Sequence, residues 1–158
     1  MSSPFRLFVY GTLKLGGDNH DRYCRDAVAI TPALLKGRIV ERPEGYPTLF
    51  VPPDLIMAYG STAYEMDADL CGSSVPSHMS PPQYLKPCLP WGHVFGHVLL
   101  FHKARPYMEH LDMLEDFFLD RPCMYERVLV PVWSIGDLLS CWTYISPHTH
   151  RFASEHRS

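Results

Sequence analysis

Phe5-Arg6-Leu7-Phe8-Val9-Tyr10-Gly11-Thr12-Leu13-Lys14 is the stretch on which the reading of the fold turns. Residues 5–9 are apolar or β-prone almost throughout and read as a buried strand close to the N-terminus. The character then changes abruptly at Tyr10-Gly11-Thr12-Leu13. Gly11 has no Cβ, so the backbone can turn sharply there and a ligand can come close. Past such a turn, successive N–H groups no longer serve a ladder and are free to hold an anion or a carbonyl oxygen. A strand that ends in a glycine turn is an ordinary feature on its own. Here it gains weight from a second motif about a hundred residues on, at Glu115.

Working outward, residues 28–40 read as strand material, broken at Thr31-Pro32 and kinked or bulged near Gly37. A short helix is expected over 20–27, and a short strand or edge segment over 46–51, where Pro47 cannot donate to a ladder. Residues 94–101 form a second strongly apolar strand. Residues 106–117 read as a helix with Pro106 in its first turn and Met108, Leu111, Met113 and Leu114 on its apolar face. Residues 124–133 alternate, with Tyr125, Arg127 and Leu129 on one side and Glu126, Val128 and Val130 on the other. A turn over 134–137 leads to a last strand, 138–145, that carries Trp142 and Tyr144. Strands dominate. The expected fold is α+β, a small mixed β-barrel with a few flanking helices, over a single domain spanning 1–158. Proline density makes 52–90 a long loop or lid, and the polar residues from 147 a tail.

The chain has 158 residues, a formal net charge of −3 and no basic block, which argues against nucleic acid or an acidic membrane as the partner. No apolar run approaches the roughly 18 residues of a membrane helix, and the start of the chain does not read as a signal peptide. Five cysteines are scattered without a CxxC spacing, so neither a disulfide framework nor a zinc site is implied and a reduced, cytoplasmic setting is expected. His93, His97 and His102 do not share one strand face and are expected to be structural rather than metal ligands.

Tyr10-Gly11-Thr12-Leu13 after an apolar strand, Tyr46-Pro47, Gly96, Leu111-Asp112-Met113-Leu114-Glu115, Tyr125-Glu126-Arg127 and Trp142-Thr143-Tyr144 occur in that order. In this the chain resembles the γ-glutamylcyclotransferase-like superfamily, which includes the AIG2-like proteins, from about residue 5 to residue 146 apart from 52–90. The resemblance implies a small mixed barrel with flanking helices. It also implies cleavage of a γ-glutamyl amide by intramolecular aminolysis, giving 5-oxoproline and a free amine. It places the general acid/base at Glu115 and the grip on the glutamyl group at Tyr10, Gly11, Thr12 and Leu13, with Tyr125 lining the site. Tyr144 is a further candidate for positioning the substrate. No metal and no other cofactor is called for. Two departures border the expected pocket mouth: Asp116-Phe117-Phe118 follows Glu115 where relatives often have glycine, and the chain is longer between Tyr46-Pro47 and Gly96.

The proposed role for Glu115 has a physical basis. The α-amine of a glutamyl group is mostly protonated at neutral pH, and a carboxylate with a raised pKa can take that proton and hand one to the leaving amine. Phe117 and Phe118 beside Glu115 would desolvate it in that sense. The alternative is a non-catalytic small-molecule-binding or regulatory protein on the same fold. Arg127 is expected to be structural, paired with a carboxylate or with carbonyl groups.

Overall fold

The computed structural model describes residues 4–10, 27–41, 47–76, 79–86, 88–102, 108–109 and 125–155. Seven strands appear among them: β1 (Phe5–Val9), β2 (Ala29–Glu41), β3 (Pro47–Phe50), β4 (Ala58–Tyr59), β5 (Gly92–Phe101), β6 (Glu126–Ser134) and β7 (Asp137–Ile145). They form one sheet in the order β3-β2-β5-β1-β7-β6-β4. A further pairing of β2 with β6, Leu34 opposite Trp133, closes the five middle strands into a barrel. The barrel is mixed, because β1 runs parallel to β7 (Leu7 opposite Trp142) while its other neighbours are antiparallel. β3 and β4 extend it at the edges.

Period-two alternation divides the strands between two cores. Phe8, Leu35, Val94, Val98, Val128, Val130, Val132 and Cys141 come from all five barrel strands and fill its interior. Leu7, Val9, Leu99, Leu129, Trp142 and Tyr144 face outward and pack beneath Tyr64, Ala68, Cys71 and Met108. Both faces of β1, β6 and β7 are therefore covered, which is why these strands read as nearly continuous apolar runs. Gly96 is the tight point of the interior. A Cβ there would collide with the Val9 carbonyl oxygen and lie 2.7 Å from Cζ of Phe8.

Three segments differ from the sequence expectations. β2 is unbroken through Thr31-Pro32. Lys36, two pairs on, gives its N–H to the Tyr84 hydroxyl, and the Pro32 carbonyl accepts from the Ser134 hydroxyl. The missing proline N–H thus lies on the side away from the β5 ladder and costs that ladder nothing. Over 52–90, where a long loop is expected, the described residues form 3-10 turns at Pro53–Leu55 and Leu70–Gly72, strand β4, and helices α1 (Tyr64–Asp69) and α2 (Pro81–Leu85). Prolines of this stretch stand in the first turns of two of these elements, where the lost N–H has no partner anyway. Beyond 147, where a polar tail is expected, α3 spans Thr149–Glu155. Its Thr149 hydroxyl bonds both the N–H and the carbonyl of Val51, and Phe152 stacks on Phe50 at 4.5 Å.

The barrel seam is held by a side chain. Tyr84 is fully buried, accepts from the Lys36 N–H at 2.8 Å and donates to the Pro131 carbonyl at 2.8 Å. It bridges β2 and β6 where their backbones pair at one position. Burial pushes this phenol's pKa well up, so it is a permanent donor. The turn from β6 to β7 has positive φ at both Ile135 (48°) and Gly136 (78°), the backbone of a type I′ hairpin turn.

Candidate active site

The parallel pairing of β1 with β7 and the antiparallel pairing of β7 with β6 decide where the tyrosines expected at the site lie. The C-terminal ends of β1 and β7 and the start of β6 meet at one end of the barrel. Tyr10 follows the last residue of β1, Tyr144 is next to last in β7, and Tyr125 immediately precedes β6. The three tyrosines expected around the substrate thus arrive at the same barrel end, from positions far apart in sequence. The Tyr10 hydroxyl donates to the Tyr144 main-chain carbonyl at 2.9 Å, which ties the end of β1 to β7 at the point where the chain continues towards Gly11.

They do not share one face. Tyr10 is half-buried and packs against the interior cluster, its ring 6.5 Å from that of Phe8. Tyr125 and Tyr144 are buried in the outer cluster, together with Val9, Trp142 and Met108. Met108 and its neighbour Glu109 are helical, in the stretch expected as the helix 106–117. Gly11, Thr12, Leu13 and Glu115 lie outside the described residues, as does most of the helix expected over 20–27.

Arg127 is completely buried beside the tyrosines. Its guanidinium donates to Oδ2 of Asp67 at 2.9 Å and to the Ser61 carbonyl at 2.6 Å. It also lies over the ring of Trp142 at 5.0 Å and that of Tyr64 at 5.6 Å. Both expected kinds of partner, a carboxylate and a carbonyl, are present. Gly60 is needed here: a Cβ would lie 2.8 Å from Cζ of Arg127.

Glu126 is a titratable group that the sequence reading did not single out. The signal was its place on the Val128–Val130 face of β6. It is half-buried, and burial raises its pKa above the usual carboxylate range, against the opposing pull of His150 and His148. His93 bonds the Tyr84 carbonyl at 3.0 Å, a structural contact. Among the described residues no group of three or more His, Cys, Asp or Glu is placed to hold a metal ion, and no helix is long and apolar enough to cross a membrane. A surface cleft of about 370 Å³ lies between β2, β5 and the β6–β7 turn, bordered by Leu34, Phe95, His97, Trp133 and Ile135; none of the three tyrosines lines it.

Comparison with known proteins adds an independent line. Residues 7–73 match the family model described as gamma-glutamyl cyclotransferase, AIG2-like. The fold is similar to the crystal structure of an AIG2-like protein from Mus musculus, with a TM-score of 0.55 and 20% identity over 92% of this chain and 78% of the other. It is also similar to a yeast γ-glutamyl cyclotransferase specific to glutathione, with a TM-score of 0.51 and 15% identity over 91% of this chain and 69% of the other. Among curated proteins no sequence matches. The matched stretch contains the sequence Tyr10-Gly11-Thr12-Leu13, and the barrel is the one the motifs implied. Residues 7–73 thus resemble the AIG2-like gamma-glutamyl cyclotransferase family in sequence, and the chain shares the fold of these two solved structures over most of its length.

Proposed function

We propose that the protein is a γ-glutamyl cyclotransferase that cleaves a γ-glutamyl amide to 5-oxoproline and a free amine. The observation that carries this reading is the family match across Tyr10-Gly11-Thr12-Leu13, joined to the meeting of Tyr10, Tyr125 and Tyr144 at one barrel end. The α-amine of the glutamyl group attacks its own γ-carbonyl carbon. The new C–N bond closes a five-membered lactam, and the bond from that carbon to the leaving nitrogen breaks. Glu115 takes the proton released by the attacking amine and delivers one to the leaving amine. Nucleophile and electrophile belong to one molecule, so much of the acceleration is orientation. The N–H groups of Gly11, Thr12 and Leu13 hold the α-carboxylate or the oxyanion, and Tyr125 and Tyr144 fix the glutamyl group from the outer face. The substrate is a small molecule, the setting is cytoplasmic, and one domain over 1–158 carries the whole site, with 52–90 at its border.

The test is incubation with γ-glutamyl dipeptides, γ-glutamyl amines and glutathione, beside Glu115→Gln, with 5-oxoproline detected by mass spectrometry. Product from the wild type and none from the variant is expected. Equal product from both removes Glu115 from its role. No product from any substrate, with binding of 5-oxoproline retained, favours the non-catalytic binding protein.

A further inference from the structure

The buried ion pair between Asp67 and Arg127 has no place in the chemistry above. Their side chains are 5% and 1% exposed. Such a pair is weak support for stability, because apolar residues of the same volume often serve as well; its best-attested use is to fix one arrangement among several. The surroundings suit that use. Asp67 accepts from the N–H of Ser61 at 2.8 Å and from its hydroxyl at 2.9 Å. The main-chain carbonyl of Asp67 accepts from the Trp142 indole at 2.8 Å. The N–H of Gly60 donates to the Arg127 carbonyl at 2.7 Å. Asp67 therefore ties together the guanidinium and the segment around Ser61 through its carboxylate, and helix α1 and the Trp142 ring through its main-chain carbonyl.

This network lies directly beneath the tyrosines. Arg127 is opposite Tyr144 in the β6–β7 ladder, Tyr125 is two residues before Arg127, and Trp142 is two before Tyr144. All four residues face outward by alternation. The guanidinium layer is thus the next layer of the wall on which Tyr125 and Tyr144 stand. We propose that Asp67 and Arg127 are positioning residues for the substrate site: through them, segment 57–70 sets where Tyr125 and Tyr144 present themselves to the glutamyl group. The inference rests on the cyclotransferase reading of the site.

The test compares wild type, Asp67→Asn, Ser61→Ala, Tyr144→Phe and the Asp67→Asn/Tyr144→Phe double variant. Steady-state kinetics on the best γ-glutamyl substrate are combined with calorimetric titration of 5-oxoproline and a thermal melt. Loss of substrate positioning shared by ground and transition states raises KM and leaves kcat. Asp67→Asn is expected to raise KM about tenfold and weaken 5-oxoproline to a similar degree, with kcat within about threefold. The double variant is expected to be little worse than the poorer single, since both act on one ring. A purely structural pair would lower the melting temperature and the active fraction with KM unchanged; that result, or additive effects in the double variant, overturns the inference. Should Asp67→Asn not fold, Ser61→Ala, which loses one of the bonds to the carboxylate, carries the test with an expected KM rise of about threefold; an unchanged KM overturns the proposal. If the wild type makes no 5-oxoproline but binds it, and Asp67→Asn weakens that binding, the reaction falls and the positioning role stands. If the wild type neither turns over nor binds, both fall.

Discussion

Replacing Gly96 by alanine tests the register on which the barrel depends. Gly96 sits in mid-β5 opposite Ala33 of β2, its Cα turned towards β1. A Cβ there meets the Val9 carbonyl oxygen and, at 2.7 Å, Cζ of Phe8. Neither neighbour can give way cheaply. Val9 is main chain in a paired strand, and Phe8 is 1% exposed inside the barrel. Overpacking of this kind costs about 3 kcal/mol, the upper end of the usual range. Removing a glycine from a strand returns about 1 kcal/mol of chain entropy. The net loss is about 2 kcal/mol, which for a chain of this length lowers the melting temperature by about 4–8 °C. Gly92 in the same strand provides the control: nothing lies within 4 Å of a Cβ there, so Gly92→Ala is expected to be neutral or slightly stabilising. Thermal melts and urea titrations of both variants decide the matter. Gly96→Ala melting at or above the wild type, or the two variants behaving alike, would refute the packing argument. Because Val9 leads directly into Tyr10, Gly96→Ala is also expected to weaken 5-oxoproline binding, read by calorimetry.

Tyr84→Phe strips the hydroxyl that joins Lys36 to Pro131 and leaves two groups at the barrel seam unpaired; a loss of about 1–3 kcal/mol is expected in urea titration. Arg127→Met leaves the Asp67 carboxylate buried without its guanidinium and is expected to cost about 3–5 kcal/mol, read in the same assay. The folded-state pKa of Glu126 is raised by burial, so the folded chain binds the extra proton and stability falls as pH rises from the unfolded to the folded value. Glu126→Gln is therefore expected to melt above the wild type at pH 7 and level with it below about pH 4, and a variant that melts lower at pH 7 contradicts the sign. Burial pushes the Cys141 thiol up to about 12, whereas Cys88 is exposed; peptide-resolved mass spectrometry after maleimide treatment at pH 8 is expected to find Cys88 modified and Cys141 intact.

The barrel strands were legible because their signal is local. Residues 5–9, 94–101 and 138–145 carry apolar runs that no helix period fits, and Ser134 to Asp137 is a turn in sequence and in structure. Where local signals misled, tertiary geometry had the last word. Thr31-Pro32 looks like a break because proline lacks a donor, yet a strand has two edges and only one of them faces β5. Residues 52–90 look like a loop because prolines are counted without regard to position, and a proline in a first helical turn breaks nothing. Helix α3 depends on Thr149 bonding Val51 and on Phe152 meeting Phe50, contacts that no window of sequence contains.

The site shows the same division more sharply. Residue types were readable: a glycine after a strand, and a tyrosine two residues before an arginine on one face of a strand. Their convergence was not, because it follows from one parallel pairing, Leu7 with Trp142, which nothing in either strand announces. That pairing sends the ends of β1 and β7 the same way and so brings Tyr10 to the Tyr144 carbonyl. Alternation then separates Tyr10, inside the wall, from Tyr125 and Tyr144 outside it. A ligand that touches all three must lie across the rim of the barrel rather than within it, since the interior is filled by Phe8, Val128 and Ile145. At that rim the two cores fix the wall that stands between Tyr10 on one side and Tyr125 and Tyr144 on the other.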